Sequence, residues 1–246
     1  MKASAFEFRF RVWIMFVVIF LGFSAPWISL LNLGTRTTAW LWLGFEMARL
    51  GISSTTGIEI VTALTILVAA LAAAVRIWGT AYLGTAVVNN AEMKAGQVMA
   101  DGPYRYVRNP LYLGSFLMVA VISVLMPASG AAFTLVLLLV FLLRLILGEE
   151  AFLAPKLGEP YAAYRKAVPR LIPSLWPRVA ASGHTPNWGR AILAEITPLG
   201  VLLSFAALSW QYNAFLLSRA VLVSFGVSLV VRALLLPKPE APHPVS

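Results

Sequence analysis

The chain has 246 residues, 60% of them hydrophobic, with a mean hydropathy of +0.82. Soluble domains are about 45–50% apolar, so an ordinary soluble core cannot hide this composition. The net charge of +9 would point to nucleic acid in a soluble protein but here follows the positive-inside bias of membrane proteins, and the absence of cysteine excludes disulfides, thiolate metal sites and a cysteine nucleophile.

In chain order, Lys2, Arg9 and Arg11 precede the first apolar run, Val12–Leu33. It is long for a signal-peptide core and ends without a small-x-small cleavage site, so it reads as a retained span. Five more spans are expected at Ile58–Trp78, Leu111–Met126, Ala131–Leu147, Ala191–Trp210 and Tyr212–Leu236. The third and fourth, at ~16 residues or ~24 Å, fall short of a ~30 Å hydrocarbon core. Pro127-Ala128-Ser129-Gly130 reads as the tight turn that makes them an antiparallel hairpin. With a cytoplasmic N-terminus, sixteen of the nineteen Lys and Arg fall on the cytoplasmic side, leaving Arg36, Arg49 and Arg219 opposite.

Between the first two spans, Trp40–Leu50 reads equally as an interfacial aromatic segment or an ordinary external loop. The expected organisation is one all-α transmembrane domain over 1–236 with a cofactor-binding core at 76–173, followed by a disordered tail, Pro237–Ser246. The two longest cytoplasmic stretches, Gly79–Pro110 and Gly148–Arg190, exceed simple connectors and are where function is expected.

The stretch GPYRYVRNPLYLG, Gly102–Gly114, sets Tyr104, Arg105, Tyr106, Arg108 and Asn109 before Pro110, at the start of the third span. A helix N-terminus beside two arginines favours an anion. Glu149 and Glu150 end the fourth span, where acidic groups oppose the helix dipole and call for a cation. Arg108, Arg170 or a ligand ammonium or sulfonium would each serve. Beyond them, Tyr161, Tyr164 and Val168 share one helical face, Arg165 and Lys166 point elsewhere, and Pro169 and Pro173 stop the helix. Arg144 and Glu195, near span ends, read as snorkelling charges.

These residues carry a resemblance. Gly102–Gly114 resembles the Arg-His-Pro-x-Tyr-x-Gly signature of the isoprenylcysteine carboxyl methyltransferase and phospholipid methyltransferase superfamily. Glu149-Glu150, Gly158, Tyr161, Tyr164 and Val168–Pro173 are similar to its second signature, and Arg76-Ile77-Trp78 with Leu83-Gly84 to its lead-in segment. The resemblance implies an integral membrane enzyme using S-adenosylmethionine. Tyr104, Arg108, Asn109, Pro110, Tyr112, Leu113 and Gly114 would line the cofactor site; Glu149 and Glu150 would bind its ammonium or adenosine hydroxyls; Tyr161, Tyr164 and Arg170 would close the pocket. Arg108, Asn109 and Glu150 are the catalytic candidates. Asn109 stands where the signature has histidine, so it can hydrogen-bond but cannot titrate near neutral pH.

His184 and His243 are the only histidines, both expected in solvent, and no metal site is expected. No phosphate-cradling or dinucleotide-binding glycine motif occurs. The expected function is methyl transfer to a membrane-embedded lipid or prenylated substrate, with no nucleic acid and no readable protein partner. The alternatives are an NADPH-dependent membrane reductase of the sterol type, disfavoured by Ser115 after Gly114, and a non-enzymatic transporter or scaffold.

Overall fold

The computed structural model describes residues 2–32, 34–83, 98 and 100–235. The tail Pro237–Ser246 with His243 and Lys238, and also Gly84 and Lys94, lie outside the described residues.

Every described element is a helix: α1 (Ala5–Arg9), α2 (Arg11–Ser24), α3 (Trp27–Leu30), α4 (Ala39–Arg49), α5 (Ser54–Leu83), α6 (Pro110–Ser123), α7 (Ala128–Ala167), α8 (Trp188–Ala194), α9 (Ile196–Leu208) and α10 (Ala214–Leu235), with single 3-10 turns at Gly102–Arg105 and Ser209–Gln211. Each of the six expected spans is mostly helical over its described residues, the first broken at Ala25-Pro26 and the fifth at Glu195. Four segments are long and apolar enough to cross a membrane: Arg11–Leu30, Ser54–Leu83, Ala128–Ala167 and Ala214–Leu235. A fifth is the pair α8 and α9–Gln211, bent by 69°. The protein is a polytopic helix bundle.

Helix α6 has only 14 residues, ~21 Å of helix, and would leave polar backbone ends at membrane depth. The start of α4 resolves this. Its Ala39 and Trp40 amides donate to the carbonyls of Met126 and Val124 at 2.7 and 2.8 Å. Orphan donors of one helix satisfy orphan acceptors after another, with the two dipoles head to tail. Trp40–Leu50 is helical up to Arg49 and not an ordinary external loop, one of its two expected readings, and Trp40 itself turns inward while Trp42 and Phe45 stay exposed. Trp40 is 2% exposed, and its indole N–H donates to the Thr62 hydroxyl at 3.0 Å inside the core.

Small residues let the helices approach, which matters because lipid supplies no hydrophobic drive between them. The buried face of α5 includes Ala69, Ala72, Ala73 and Gly79. Where α2 crosses α7, a Cβ on Gly130 would strike the Gly22 carbonyl oxygen. Gly130 is therefore in helix α7, not in the expected turn; the chain turns through Val124–Pro127.

Helix α7 also corrects the reading of Glu149 and Glu150 as a helix C-terminus. It runs on past Glu150 and leaves helical geometry once, at Gly158 (φ 60°, ψ −144°), a conformation essentially confined to glycine. The remainder turns back, so that Arg170 returns to Glu150.

Candidate active site

The hairpin of α6 and α7 brings the two motifs together at one end of the bundle. Pro110 is the first residue of α6, as expected, and Asn109 its N-cap. The Tyr112 hydroxyl donates to Glu149 Oε2 at 3.0 Å. Glu150 lies about 100° further round α7 and meets different partners. Arg170 grips it with two parallel bonds, Nε to Oε1 at 3.1 Å and Nη2 to Oε2 at 2.9 Å. Arg108 Nη1 stands 3.4 Å from Oε1, and Arg165 Nη2 3.8 Å from Oε2. Arg165 therefore belongs to the cluster, against the expectation that it points elsewhere. With the helix continuing, these guanidiniums, and not a helix end, set the environment of Glu150.

Three arginines around one carboxylate leave a surplus of positive charge at a site where Glu150 is 4% exposed. Arg108 carries the consequence. Its Nε and Nη1 are buried and have no hydrogen-bond partner. Burial pushes its guanidinium pKa below the ordinary arginine value, opposed by the charge of Glu150. Buried guanidinium N–H groups without acceptors cost free energy comparable to lost charge-assisted hydrogen bonds. Such donors favour an anionic acceptor.

The other expected residues divide. Tyr161 and Tyr164 are buried with Val168 in a small cluster that includes Leu153, Ala154 and Leu157. The Tyr164 hydroxyl donates to the Tyr104 carbonyl at 2.8 Å, and Tyr104 donates to the Gly79 carbonyl at 3.4 Å. Burial, then the charge of Glu149, raises the Tyr104 phenol well above its ordinary pKa, so it stays protonated. Asn109 Nδ2 donates to the Arg170 carbonyl at 3.0 Å. Gly114, about 200° round α6 from Tyr112, faces away from the glutamates. A Cβ there would collide with Arg76 of α5. Leu113 is half-buried on the same helix.

A strap, residues 169–187, runs antiparallel to the first motif. The Arg108 amide donates to the Pro169 carbonyl at 2.8 Å, the Ser174 amide to Tyr106 at 3.0 Å and the Arg178 amide to Arg105 at 2.9 Å. Asp101 anchors its far end. The buried carboxylate accepts the amides of Ser182 at 2.7 Å and of Gly183 and His184 at 3.2 Å, and lies 2.8 Å from His184 Nδ1. Burial alone would raise the Asp101 pKa, but the His184 ring and the three amides hold it below the ordinary carboxylate value. His184 is exposed as expected, yet its ring is held.

A second polar group was not legible as such in the sequence. Glu195, at the break between α8 and α9, is fully buried. Arg76 Nε and Nη2 donate to its two oxygens at 2.6 and 2.9 Å, and Thr80 donates to Oε1 at 2.7 Å. Arg76 Nη1 reaches Ser115 Oγ at 2.7 Å. Glu195 thus ties the last helices to α5 and α6, and the snorkelling expectation is corrected. Arg144 likewise pairs with Glu7, at 2.9 Å through both Nε and Nη2. No cluster of three or more metal-ligating side chains occurs among the described residues. An apolar cavity of about 300 Å³, lined by Leu43, Met47, Val61, Leu64, Val121 and neighbours, shares no residue with the expected site.

These features define the class: a membrane-embedded helix bundle with a buried arginine–glutamate site at one helical end. The family model for phospholipid methyltransferases matches residues 53–159. A protein-S-isoprenylcysteine O-methyltransferase of Schizosaccharomyces pombe is 38% identical over 89 residues, 35% of this chain and 37% of that protein's length. No solved structure matches. Residues 53–159, under half of the chain, are thus similar to phospholipid methyltransferases, and the chain spans little more than a third of the curated relative it matches. The matched region starts before Arg76 and stops before Tyr161, so Tyr161, Tyr164 and Arg170 rest on the motif resemblance and on the geometry above.

Proposed function

We propose that the protein transfers a methyl group from S-adenosylmethionine to a lipid or prenylated acceptor in the membrane. The observation that carries this reading is the buried Arg108 guanidinium, whose Nε and Nη1 make no hydrogen bond and whose ion pair, Nη1 to Glu150 Oε1 at 3.4 Å, is long. Nε–H and Nη1–H leave the guanidinium on different edges, so each offers a single charge-assisted bond to an anionic group, and the cofactor carboxylate supplies such a group. Glu149, outside the arginine cluster, is the acceptor we assign to the cofactor's ammonium or adenosine hydroxyls. The surplus of basic residues at this end of the chain supports a cytoplasmic site and cytoplasmic termini.

When bound, S-adenosylmethionine supplies an electrophilic methyl group on a sulfonium. The residues supply position. Arg108 holds the cofactor carboxylate, and Glu150 aligns Arg108. The Arg170 pair occupies both oxygens of Glu150, so Glu150 orients and does not take a proton. Asn109 pins the strap through the Arg170 carbonyl. Tyr161, Tyr164 and Val168 exclude water. A carboxylate acceptor needs no base, whereas an amine acceptor must first lose a proton.

Calorimetry on purified protein with S-adenosylmethionine and its demethylated product tests the reading. Binding of both, abolished in R108A, is the expected result; stabilisation by NADPH and by neither of these would overturn it. Labelled-methyl transfer to extracted membrane lipids then identifies the acceptor.

A further inference from the structure

The strap carries a feature that methyl transfer does not use. Ile172, Leu175 and Trp176 are 83%, 88% and 76% exposed. Single exposed apolar residues need no explanation, but three large ones on one short segment do. Their exposure is not slackness. Ser174, between them, donates its amide and hydroxyl to the Tyr106 carbonyl at 3.0 and 3.3 Å. The Arg105 guanidinium donates to the Val179 carbonyl at 2.9 Å. A backbone fixed on its inner side thus presents apolar side chains outward.

Charge narrows the occupant. Between Pro160 and Arg190 the sequence holds Arg165, Lys166, Arg170, Arg178 and Arg190, and no Asp or Glu. Arg170 is taken up by Glu150. Lys166 and Arg178 are exposed and form no ion pair among the described residues. Position narrows it further. Glu150, to which the strap is tied, lies ~33 Å along α7 from Ala128, about one hydrocarbon thickness. At its other end the Asn187 amide donates to the Ala81 carbonyl at 2.9 Å, near the end of α5. Both ends of the strap therefore sit at the level where the bundle leaves the membrane.

We propose that the strap docks on the surface of the membrane that holds the bundle. Ile172, Leu175 and Trp176 seat among the headgroups, and Lys166 and Arg178 pair with the phosphates of anionic lipids. Indole favours this interface, and basic side chains near an anionic surface add to the attraction. The inference does not rest on the methyl-transfer reading, and its test needs no turnover.

The chain has no cysteine, so W176C carries a single environment-sensitive label. The labelled full chain is placed in nanodiscs of phosphatidylcholine alone or with phosphatidylglycerol, and quenching by doxyl-lipid and by aqueous iodide is compared. We expect doxyl quenching and iodide protection, both stronger in the anionic discs. The seated-to-unseated ratio there falls roughly five-fold for each charge removed in K166Q and R178Q. A label on S182C, further along the strap, reports whether the strap remains folded. Equal iodide access at 176 and 182 overturns the proposal. Equal doxyl quenching in both discs overturns the anionic-lipid contact.

Discussion

Arg76 and Glu195, 119 positions apart, close a bidentate ion pair inside the bundle, with Nε–Oε2 at 2.6 Å and Nη2–Oε1 at 2.9 Å. Thr80 and Ser115 satisfy the remaining valences, so the pair links α5, α6 and the α8–α9 break at one point. Breaking one member of such a pair leaves a buried charge unmatched. We expect E195A to lower stability by about 3–5 kcal/mol and R76M/E195L to recover much of the loss. Thermal unfolding in detergent measures both, and a double variant no better than E195A would deny the pair this role.

Glu149 and Tyr112 give a test confined to the site. Y112F removes one hydrogen bond to a carboxylate and little volume. Loss of a bond to a charged group costs about 1.5–3 kcal/mol. The cofactor dissociation constant is expected to rise by roughly 10- to 150-fold if Glu149 is a ligand group, while E149Q shows the same direction. Calorimetric titration of each variant against the parent decides it.

The strap should respond to acid. The Asp101 carboxyl is held below its ordinary value of 3.8. A depressed carboxylate contributes stability that is fully present above the unfolded-state pKa. That contribution is lost as pH falls below it and through the folded-state value. Parent protein should therefore lose strap protection below about pH 4, and D101N should show a weaker strap at neutral pH with little further loss in acid. Hydrogen exchange at the Ser182–His184 amides reports this, and identical profiles would remove Asp101 as the anchor.

Two glycines separate crowding from backbone strain. G130V drives a side chain into the Gly22 carbonyl at the α2–α7 crossing. Overpacking of this kind costs about 1–3 kcal/mol or more. At Gly158 an added Cβ would meet nothing within 4 Å, so G158A is opposed only by φ 60° and ψ −144°. We expect about 1–3 kcal/mol there as well, relieved by no neighbouring truncation. T134A should rescue G22A only in part, since the added Cβ meets Thr134 Oγ1 and also Met126 Sδ. Thermal unfolding of the single and paired variants checks each expectation.

What the sequence carried and what it hid follow from range. Arg108 with Glu150, and Tyr112 with Glu149, were legible because a short hairpin must return the second motif to the first. The apolar segments were legible from length, four of them as helices long enough to cross a membrane and a fifth as a bent pair. The helical face of Tyr161, Tyr164 and Val168 was legible from its spacing, but its continuity with α7 through Glu149-Glu150 was not, since two acidic residues closing an apolar run read as a helix end. Trp40 misled because an aromatic cluster suits a membrane interface and a membrane core alike. Glu195 and Asp101 find partners 119 and 83 residues away, and no local pattern records such meetings. A charge at the end of a span looks the same whether it snorkels or locks.

The antiparallel strap also sets an order of events during synthesis. Asp101–Asn109 leaves the ribosome well before residues 182–184, which complete its cover. At about 5–20 residues per second, the arginines and tyrosines of the first motif stand without their covering segment for roughly 4–15 s. During that interval α6 and α7 are already made, while the site they frame cannot yet close. Chains that stall between Ala167 and Ser182 would therefore be inserted, helical and incomplete, and would mark the stage at which cellular quality control can tell a finished molecule from an unfinished one.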